Sequence, residues 1–171
     1  MNQGVLAPPA RRKANEDGRR RTLISSDSEE EEANELQHNG LARNIWWVNQ
    51  GSSYQEAEPI NIICAPTDDS KPHWKRLKEV RQGDIILHYV KKNLLSVSQT
   101  IAPYTIKPRP YGMRDLVYLV ETVYYQLKPP IPFSKLSAAL PSLAIDEGPI
   151  NKYGTVKQGY LFRLDNKALK L

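Results

Sequence analysis

The sequence contains a single cysteine, Cys64, among 171 residues, so no disulfide can form within the chain. This scarcity is typical of proteins that fold in a reducing compartment. No run approaches the ~18 apolar residues that span a membrane, and the chain begins with polar and proline residues rather than a secretory signal. We therefore expect a cytoplasmic protein, or a nuclear one in a eukaryotic host, with no membrane partner and with Cys64 buried in its apolar run.

Signatures of catalysis and of metal binding are also sparse. His38, His73 and His88 lack cysteine partners and metal-ligand spacing. There is no phosphate-binding loop and no Gly-x-Ser-x-Gly elbow, and the carboxylates of the folded part are scattered. The sequence therefore predicts a protein that is not an enzyme and that carries no cofactor and no metal. A hydrolase that uses His88 and Asp84 is the least favoured alternative.

Charge is divided unevenly along the chain. Residues 1–40 contain six basic and eight acidic side chains, whereas the remainder contains 18 basic and 11 acidic ones. The remainder therefore has a net charge of +7, against +5 for the whole chain. Because a basic domain attracts polyanions through its long-range field, this surplus favours a nucleic-acid partner, although it would also serve solubility alone.

Residues 1–42 show neither of the periodicities that predict strands and helices. Basic clusters at 11–13 and 19–21 precede an acidic, serine-rich run at 25–32. Charge blocks of this kind bury too little apolar surface to offset the entropy of ordering. We therefore predict a disordered charged arm over 1–42, which is a solvated linker or a carrier of nuclear-address and phosphorylation sites, followed by one folded domain over 43–171.

Short strand signals separated by turn residues fill the folded part. They predict strands at 45–48, 60–65, 85–90, 94–102, 116–127 and 159–164, with helices over 70–80 and 134–140. A hairpin is expected at 91–93, a proline-rich loop at 103–112 and an extended segment at 128–132, because proline fixes φ. The strand at 116–127 is apolar on both faces, as a central strand would be. This order predicts an α+β fold, a small closed or half-closed β-barrel with short helices at its rim.

Several short motifs occur in a recognisable order. They are Ile45-Trp46-Trp47-Val48-Asn49-Gln50-Gly51-Ser52, Ala65-Pro66, His73-Trp74, Gly83-Asp84-Ile85-Ile86-Leu87-His88-Tyr89 and Gln158-Gly159-Tyr160-Leu161-Phe162. Together they resemble the EVE domains of the PUA-like superfamily, especially those attached to modification-dependent restriction ATPases and HNH endonucleases. The resemblance spans nearly all of residues 44–165, and this family is similar to the YTH readers.

The resemblance implies a domain that holds an extruded, modified base in an aromatic pocket. The YTH relatives take methylated adenine in RNA, whereas restriction-linked EVE domains recognise modified bases in DNA. A non-catalytic reader of modified DNA is therefore expected first, and a reader of modified RNA second. A role in restriction or defence would need a nuclease or ATPase partner supplied in trans. A protein-interaction module without nucleic-acid binding is the alternative, suggested by the Pro129-Pro130-Ile131-Pro132 segment, the acidic arm and exposed tyrosines.

The end of the first strand supplies candidates for the base pocket. Trp46 and Trp47 face opposite sides of their strand, and we expect Trp47 to line the pocket because Asn49 shares its side. In the YTH relatives the segment after the first strand makes polar contacts with the base. The resemblance therefore implies such contacts for Asn49, Gln50 and Ser52.

Further aromatic and basic side chains complete the candidate set. Trp74 matches the position of a cage tryptophan in those readers, although packing beneath the helix is an equal alternative. Tyr89 could form a wall at the end of its strand, and Tyr104 and Tyr111 could form another in the proline-rich loop. Phosphate contacts, or simply a solvated basic face, are expected at Lys91, Lys92, Lys107, Arg109 and Arg114.

Overall fold

A computed structural model describes residues 43–139 and 147–164. Within them the chain forms seven strands and three short helices. The strands are β1 (Ile45–Asn49), β2 (Ile62–Pro66), β3 (Ile85–Val90), β4 (Asn93–Thr100), β5 (Thr105–Pro108), β6 (Leu116–Pro132) and β7 (Leu161–Leu164). The helices are α1 (Tyr54–Ala57), α2 (Pro72–Lys75) and α3 (Phe133–Ala139), and 3₁₀ turns follow α1 at Glu58–Ile60 and α2 at Arg76–Glu79.

The predicted arm over 1–42 lies outside the described residues, as does the last residue of the helix predicted over 134–140. The boundary between arm and domain therefore stays a prediction. No helix in the described part of the chain is long and apolar enough to cross a membrane.

All seven strands belong to one mixed sheet. Its order is β2-β6-β4-β3-β1-β7, and β5 pairs with β6 beyond the end of β4. β1 runs parallel to β3, and every other pair is antiparallel. The sheet curls into a half-barrel with short helices at its rim, which confirms the predicted α+β architecture.

Apolar cores lie on both faces of β1. An interior core joins residues from strands at both ends of the strand order, including Trp46, Ile63 and Leu161. An outer core contains Trp47, Ile150, Phe162 and Leu164, with part of α3 against it. Because successive residues of a strand point to opposite faces, Trp46 and Trp47 enter different cores.

The 17-residue β6 is the central strand of the fold. Val117, Tyr118, Leu119 and Val120 are all buried, which confirms the prediction of a strand apolar on both faces. The segment at 128–132 is extended as predicted, but it continues β6 instead of following it. Between the pairs Leu94–Ile131 and Ser96–Gln126, residues 127–130 leave the ladder, since proline has no N–H to donate.

The sequence patterns differ from the structure at three elements. The helix expected over 70–80 is the single turn α2 followed by a 3₁₀ turn. The sequence did not predict α1, a single turn without a side-chain cap, or β5, whose residues are all exposed. The hairpin at 91–93 is confirmed, and Lys91 and Lys92 adopt φ values of 47° and 67°, the left-handed conformation that a tight hairpin turn requires.

Candidate functional site

Trp47 lies in the outer core rather than at a pocket. Its side chain has no exposed surface, and its ring lies 5.0 Å from that of Tyr89 and 6.4 Å from that of Phe133. β1 lies between β3 and β7, and the outer core covers this face of the sheet. The expected pocket positions of Trp47 and Tyr89 are therefore corrected to packing positions on the outer face.

Asn49 tethers the segment that leads into β7. Its Oδ1 accepts the Trp47 Nε1–H at 2.7 Å, and its Nδ2 donates to the carbonyls of Lys157 at 3.0 Å and Gly159 at 2.8 Å. Both amide hydrogens are used, so Asn49 has no donor left for a base. Its role in the structure is to hold residues 157–159 against the end of β1.

Gln50 follows on the interior face of the sheet and is only 2% exposed. Its Oε1 lies 2.6 Å from His88 Nδ1, while its Nε2 has no hydrogen-bond partner among the described residues. The backbone N–H of Gln50 donates to the Tyr89 carbonyl at 2.9 Å, which holds the residue at the end of β1. A buried amide with an unused N–H is the group most able to read a polar ligand edge here.

Four half-buried aromatic side chains pack against the interior core. We call them the aromatic rim: Trp74, Tyr104, Tyr124 and Tyr160. Two of them, Trp74 and Tyr104, were expected from the sequence, and two were missed. Trp74 also makes an edge contact with His73, with centroids 5.6 Å apart, so it both packs on the core and keeps surface available.

Tyr124 is the member of the aromatic rim that interacts with the Gln50 amide. Its ring lies 4.2 Å from that of His88, and its hydroxyl donates to the Ile62 carbonyl at 2.8 Å. Burial raises the pKa of Tyr124, and the neighbouring Gln50 amide opposes that rise. The tyrosine is therefore neutral, and its hydroxyl lies within the influence of the Gln50 amide, although Nε2 forms no hydrogen bond of ordinary geometry with it.

Tyr160 and Tyr111 meet around Cys64. The Tyr111 hydroxyl lies 3.3 Å from Cys64 Sγ. Burial raises the pKa of Tyr160 strongly, and Cys64, Tyr124 and Tyr111 raise it further. Cys64 itself is 4% exposed, as expected, and burial raises the pKa of its thiol. Tyr111 itself packs with Cys64 in a cluster separate from the interior core that Tyr124 and Tyr160 contact.

The loop that carries Tyr111 is closed by an ion pair. Arg109 donates from Nε and Nη2 to the two carboxylate oxygens of Asp115, at 2.7 and 2.9 Å. The Arg109 backbone N–H also donates to the Asp115 carbonyl at 2.9 Å. The guanidinium thus holds the Tyr111 loop and lowers the pKa of Asp115, while the expected phosphate contact of Arg109 stays a prediction.

The other predicted basic side chains differ in availability. Lys107 pairs with Glu121 at 3.6 Å. Lys91 and Lys92 are exposed on the β3–β4 hairpin, and Arg114 is exposed on the Tyr111 loop. Lys91 and the predicted Ser52 line one cleft of about 360 Å³, next to Tyr54.

The structure gives His88 and Asp84 structural roles. Asp84 accepts hydrogen bonds from the Asn44 N–H at 3.0 Å, Trp46 Nε1 at 2.8 Å and the Arg81 N–H at 2.9 Å. Burial lowers the pKa of His88 to about 3. Both side chains are almost fully buried and are bonded to other protein groups. Within residues 43–139 and 147–164, no cluster of three or more acidic, histidine or cysteine side chains could hold a metal ion.

The structure therefore packs Trp74 and Tyr104 of the predicted set on the same interior core as Tyr124 and Tyr160, with Gln50 beside Tyr124. Tyr111 packs in a separate cluster with Cys64. One signal could have indicated Tyr124. Tyr118, Val120, Thr122 and Tyr124 alternate along β6, so all four share one face of the strand. Tyr160 was part of a recognised motif but carried no predicted role.

Solved structures that are similar to this chain include two YTH domains and one bacterial protein. The YTH domain of Zygosaccharomyces rouxii MRB1, in complex with N6-methyladenosine RNA, has a TM-score of 0.53 and 11% identity, over 76% of this chain and 84% of that chain. The Pho92 YTH domain in complex with m6A has a TM-score of 0.48 and 9% identity, over 70% and 78%. Rpa0253 from Rhodopseudomonas palustris has a TM-score of 0.49 and 16% identity, over 74% and 88%.

The likeness to the MRB1 domain shows that this chain has a YTH-like fold. No protein-family model matches the sequence, and no curated protein matches it.

Proposed function

We propose that this chain, with its YTH-like and PUA-like fold, is a non-catalytic reader that binds a modified, methylated base extruded from a nucleic acid. One observation carries the proposal: the Gln50 amide is 2% exposed and has an unused N–H among the described residues. It lies beside Tyr124, which packs on the interior core with the other members of the aromatic rim. Sites for small ligands usually combine apolar and aromatic side chains with a few polar groups that fix the orientation of the ligand.

The free-energy cost of extruding a base and the free energy gained by binding it are of similar size. Extruding a base from its stack costs a few kcal/mol, and each aromatic contact returns about 1–3 kcal/mol. A methyl group adds about 0.8 kcal/mol of apolar burial. A bond to the Gln50 N–H would also remove the ~1–3 kcal/mol penalty of a buried unpaired donor. Two ring contacts and this bond suffice for capture, while the methyl group supplies the preference for a modified base.

The MRB1 YTH domain, which shares this fold, was solved with N6-methyladenosine RNA, and this supports a modified-base ligand. Modified DNA remains our first expectation, because the sequence resembles restriction-linked EVE domains, and modified RNA is the second. If DNA is the ligand, a nuclease or ATPase supplied in trans would convert recognition into restriction. Lys91, Lys92 and Arg114 are the proposed phosphate contacts, since all three are exposed.

The experiment is a titration of the full chain against labelled oligonucleotides, followed by fluorescence anisotropy. The probes are short DNA and RNA strands that are unmodified or carry N6-methyladenine, 5-methylcytosine or 5-hydroxymethylcytosine. We expect one modified strand to bind at least roughly fourfold tighter than its unmodified form. Gln50→Met should weaken that binding roughly tenfold.

The matched control is Gln82→Met, because Gln82 is exposed and lines a different cleft. It should leave the affinity for the modified strand unchanged. Equal binding of all strands that disappears with salt would contradict the proposal and leave only a basic surface.

One surface favours the protein-interaction alternative. Ile101, Val123 and Tyr125 are 48%, 38% and 57% exposed, and they line a cleft of about 360 Å³ with Gln99. Exposed apolar patches on a sheet face often bind other proteins. This face is the second candidate site, and Tyr125→Lys would test it without altering the aromatic rim.

A further inference from the structure

Three buried side chains form a continuous hydrogen-bonded row inside the half-barrel. Ser98 Oγ lies 2.7 Å from His88 Nε2, and His88 Nδ1 lies 2.6 Å from Gln50 Oε1. Ser98 and His88 have no exposed surface, and Gln50 is 2% exposed. The row therefore runs from β4 through β3 to the amide at the end of β1, shielded from solvent throughout.

The chemistry of these groups sets the direction of each bond. Burial lowers the pKa of His88 to about 3, so the imidazole is neutral at pH 7 and carries one N–H. Gln50 Oε1 can only accept, so the proton of His88 resides on Nδ1. His88 Nε2 is then unprotonated and accepts the hydroxyl hydrogen of Ser98. All three residues donate in the same direction along the row.

The row ends in an unused donor. With its oxygen bound to His88, the Gln50 amide directs its NH₂ group away from the imidazole, and Nε2 has no partner among the described residues. Tyr124 stacks on His88 with centroids 4.2 Å apart, which limits rotation of the imidazole. With the proton on His88 Nδ1, the amide presents Nε2 rather than Oε1 at the end of the row.

We propose that His88 and Ser98 are positioning residues that fix the Gln50 amide with its NH₂ toward the base, so that the site selects a ligand edge presenting a hydrogen-bond acceptor. This inference deepens the proposed function and rests on it. It identifies the recognised feature as a ring nitrogen or carbonyl oxygen of the base. Reversal of the row would present the Gln50 carbonyl instead and would select a donor.

The first test needs no ligand. Nitrogen-15 NMR of the labelled full chain at pH 7 reports which ring nitrogen of His88 carries the proton. A proton on Nδ1 supports the proposed direction. A proton on Nε2, or a charged imidazolium, would overturn it.

The second test removes ligand acceptors one at a time. The probes are the strand with N6-methyladenine and its 1-deaza, 3-deaza and 7-deaza forms, or the strand with 5-methylcytosine and its 3-deaza form. One deletion should weaken binding by roughly five- to tenfold, and this loss should vanish in Gln50→Met. If every analogue binds the wild-type chain as tightly as its parent, the inference is wrong.

Two His88 variants separate positioning from packing. His88→Asn places an amide N–H near the position of Nδ1 and retains the donor to Gln50, whereas His88→Gln places its N–H near Nε2 and loses that donor. We expect His88→Asn to bind within about threefold of wild type and His88→Gln to lose roughly tenfold. Equal loss in both would contradict a positioning role. If no modified strand binds, the proposed function fails together with the ligand assignment, while the NMR result still decides the direction of the row.

Discussion

At the scale of single residues, two buried polar atoms stand without partners in the described part of the chain, Gln50 Nε2 and Thr122 Oγ1. Their surroundings differ. Gln50 belongs to the row with His88, so its unused N–H is held in a defined direction. The Thr122 backbone N–H donates to the Asn61 carbonyl at 2.8 Å, whereas its hydroxyl has no partner among the described residues. An unpaired hydroxyl in that position reduces stability and contributes no contact.

Thr122→Val should therefore stabilise the protein by about 0.5–1 kcal/mol, because it replaces an unsatisfied hydroxyl with a methyl group of similar shape. Thr100→Val is the matched control, since the Thr100 hydroxyl donates to the Arg81 carbonyl. The control should lose about 1–3 kcal/mol. Urea denaturation measures both, and a Thr122→Val loss as large as that of the control would show that the hydroxyl is paired after all.

At the scale of elements, the approach to β7 places Tyr160 in the aromatic rim. Gly159 has a φ of +148°, and a Cβ at this position would lie 2.7 Å from the Phe162 ring. The Asn49 amide also donates a hydrogen bond to the Gly159 carbonyl, which holds the segment in this close approach. A glycine is therefore required where the segment crosses Phe162.

Gly159→Ala should lower the free energy of unfolding by about 1–3 kcal/mol through backbone strain and the clash with Phe162. Gly51→Ala should change it by less than about 0.5 kcal/mol, because a Cβ there meets nothing within 4 Å. Thermal unfolding of both variants checks this difference. Similar unfolding temperatures for the two would mean that the β7 approach adapts without strain.

At the scale of the whole molecule, stability should depend on pH through the buried imidazole. The folded pKa of His88 is about 3, below the value of about 6.5 for an unfolded histidine. The unfolded chain therefore binds the proton more readily between these values. The contribution is fully present above pH 6.5 and is lost as the pH falls toward 3.

Between pH 7 and pH 4.5 the wild-type protein should lose about 2.5 kcal/mol of stability from this group, since one pKa unit corresponds to ~1.4 kcal/mol. His88→Asn cannot take up the proton and should lose correspondingly less over the same interval. Denaturant midpoints at several pH values measure the difference. Parallel curves for the two proteins would show that His88 is accessible to protons in the folded state.

Much of the fold could be predicted because strand patterns are local. The alternation at 85–90 and 94–102, the left-handed turn between them and the doubly apolar run at 116–127 each require only neighbours in sequence. The resemblance added Gln50 and Trp74, whose surroundings in the structure suit the proposed site. The short α1 and the exposed β5 have no such pattern, because their positions depend on strands far away in the chain.

The sequence by itself determined which side chains share a face, and only the tertiary structure decided what covers that face. Trp46 and Trp47 were expected on opposite sides, but the cores on both faces of β1 bury both. The sequence shows Arg109 only as a basic loop residue. The structure shows that it forms an ion pair with Asp115 across the same loop. The unused donor of Gln50 likewise depends on the register that brings Ser98 and His88 together. Strand alternation arises from the geometry of each residue, whereas burial, ion pairing and hydrogen-bond direction arise between segments that only folding brings into contact.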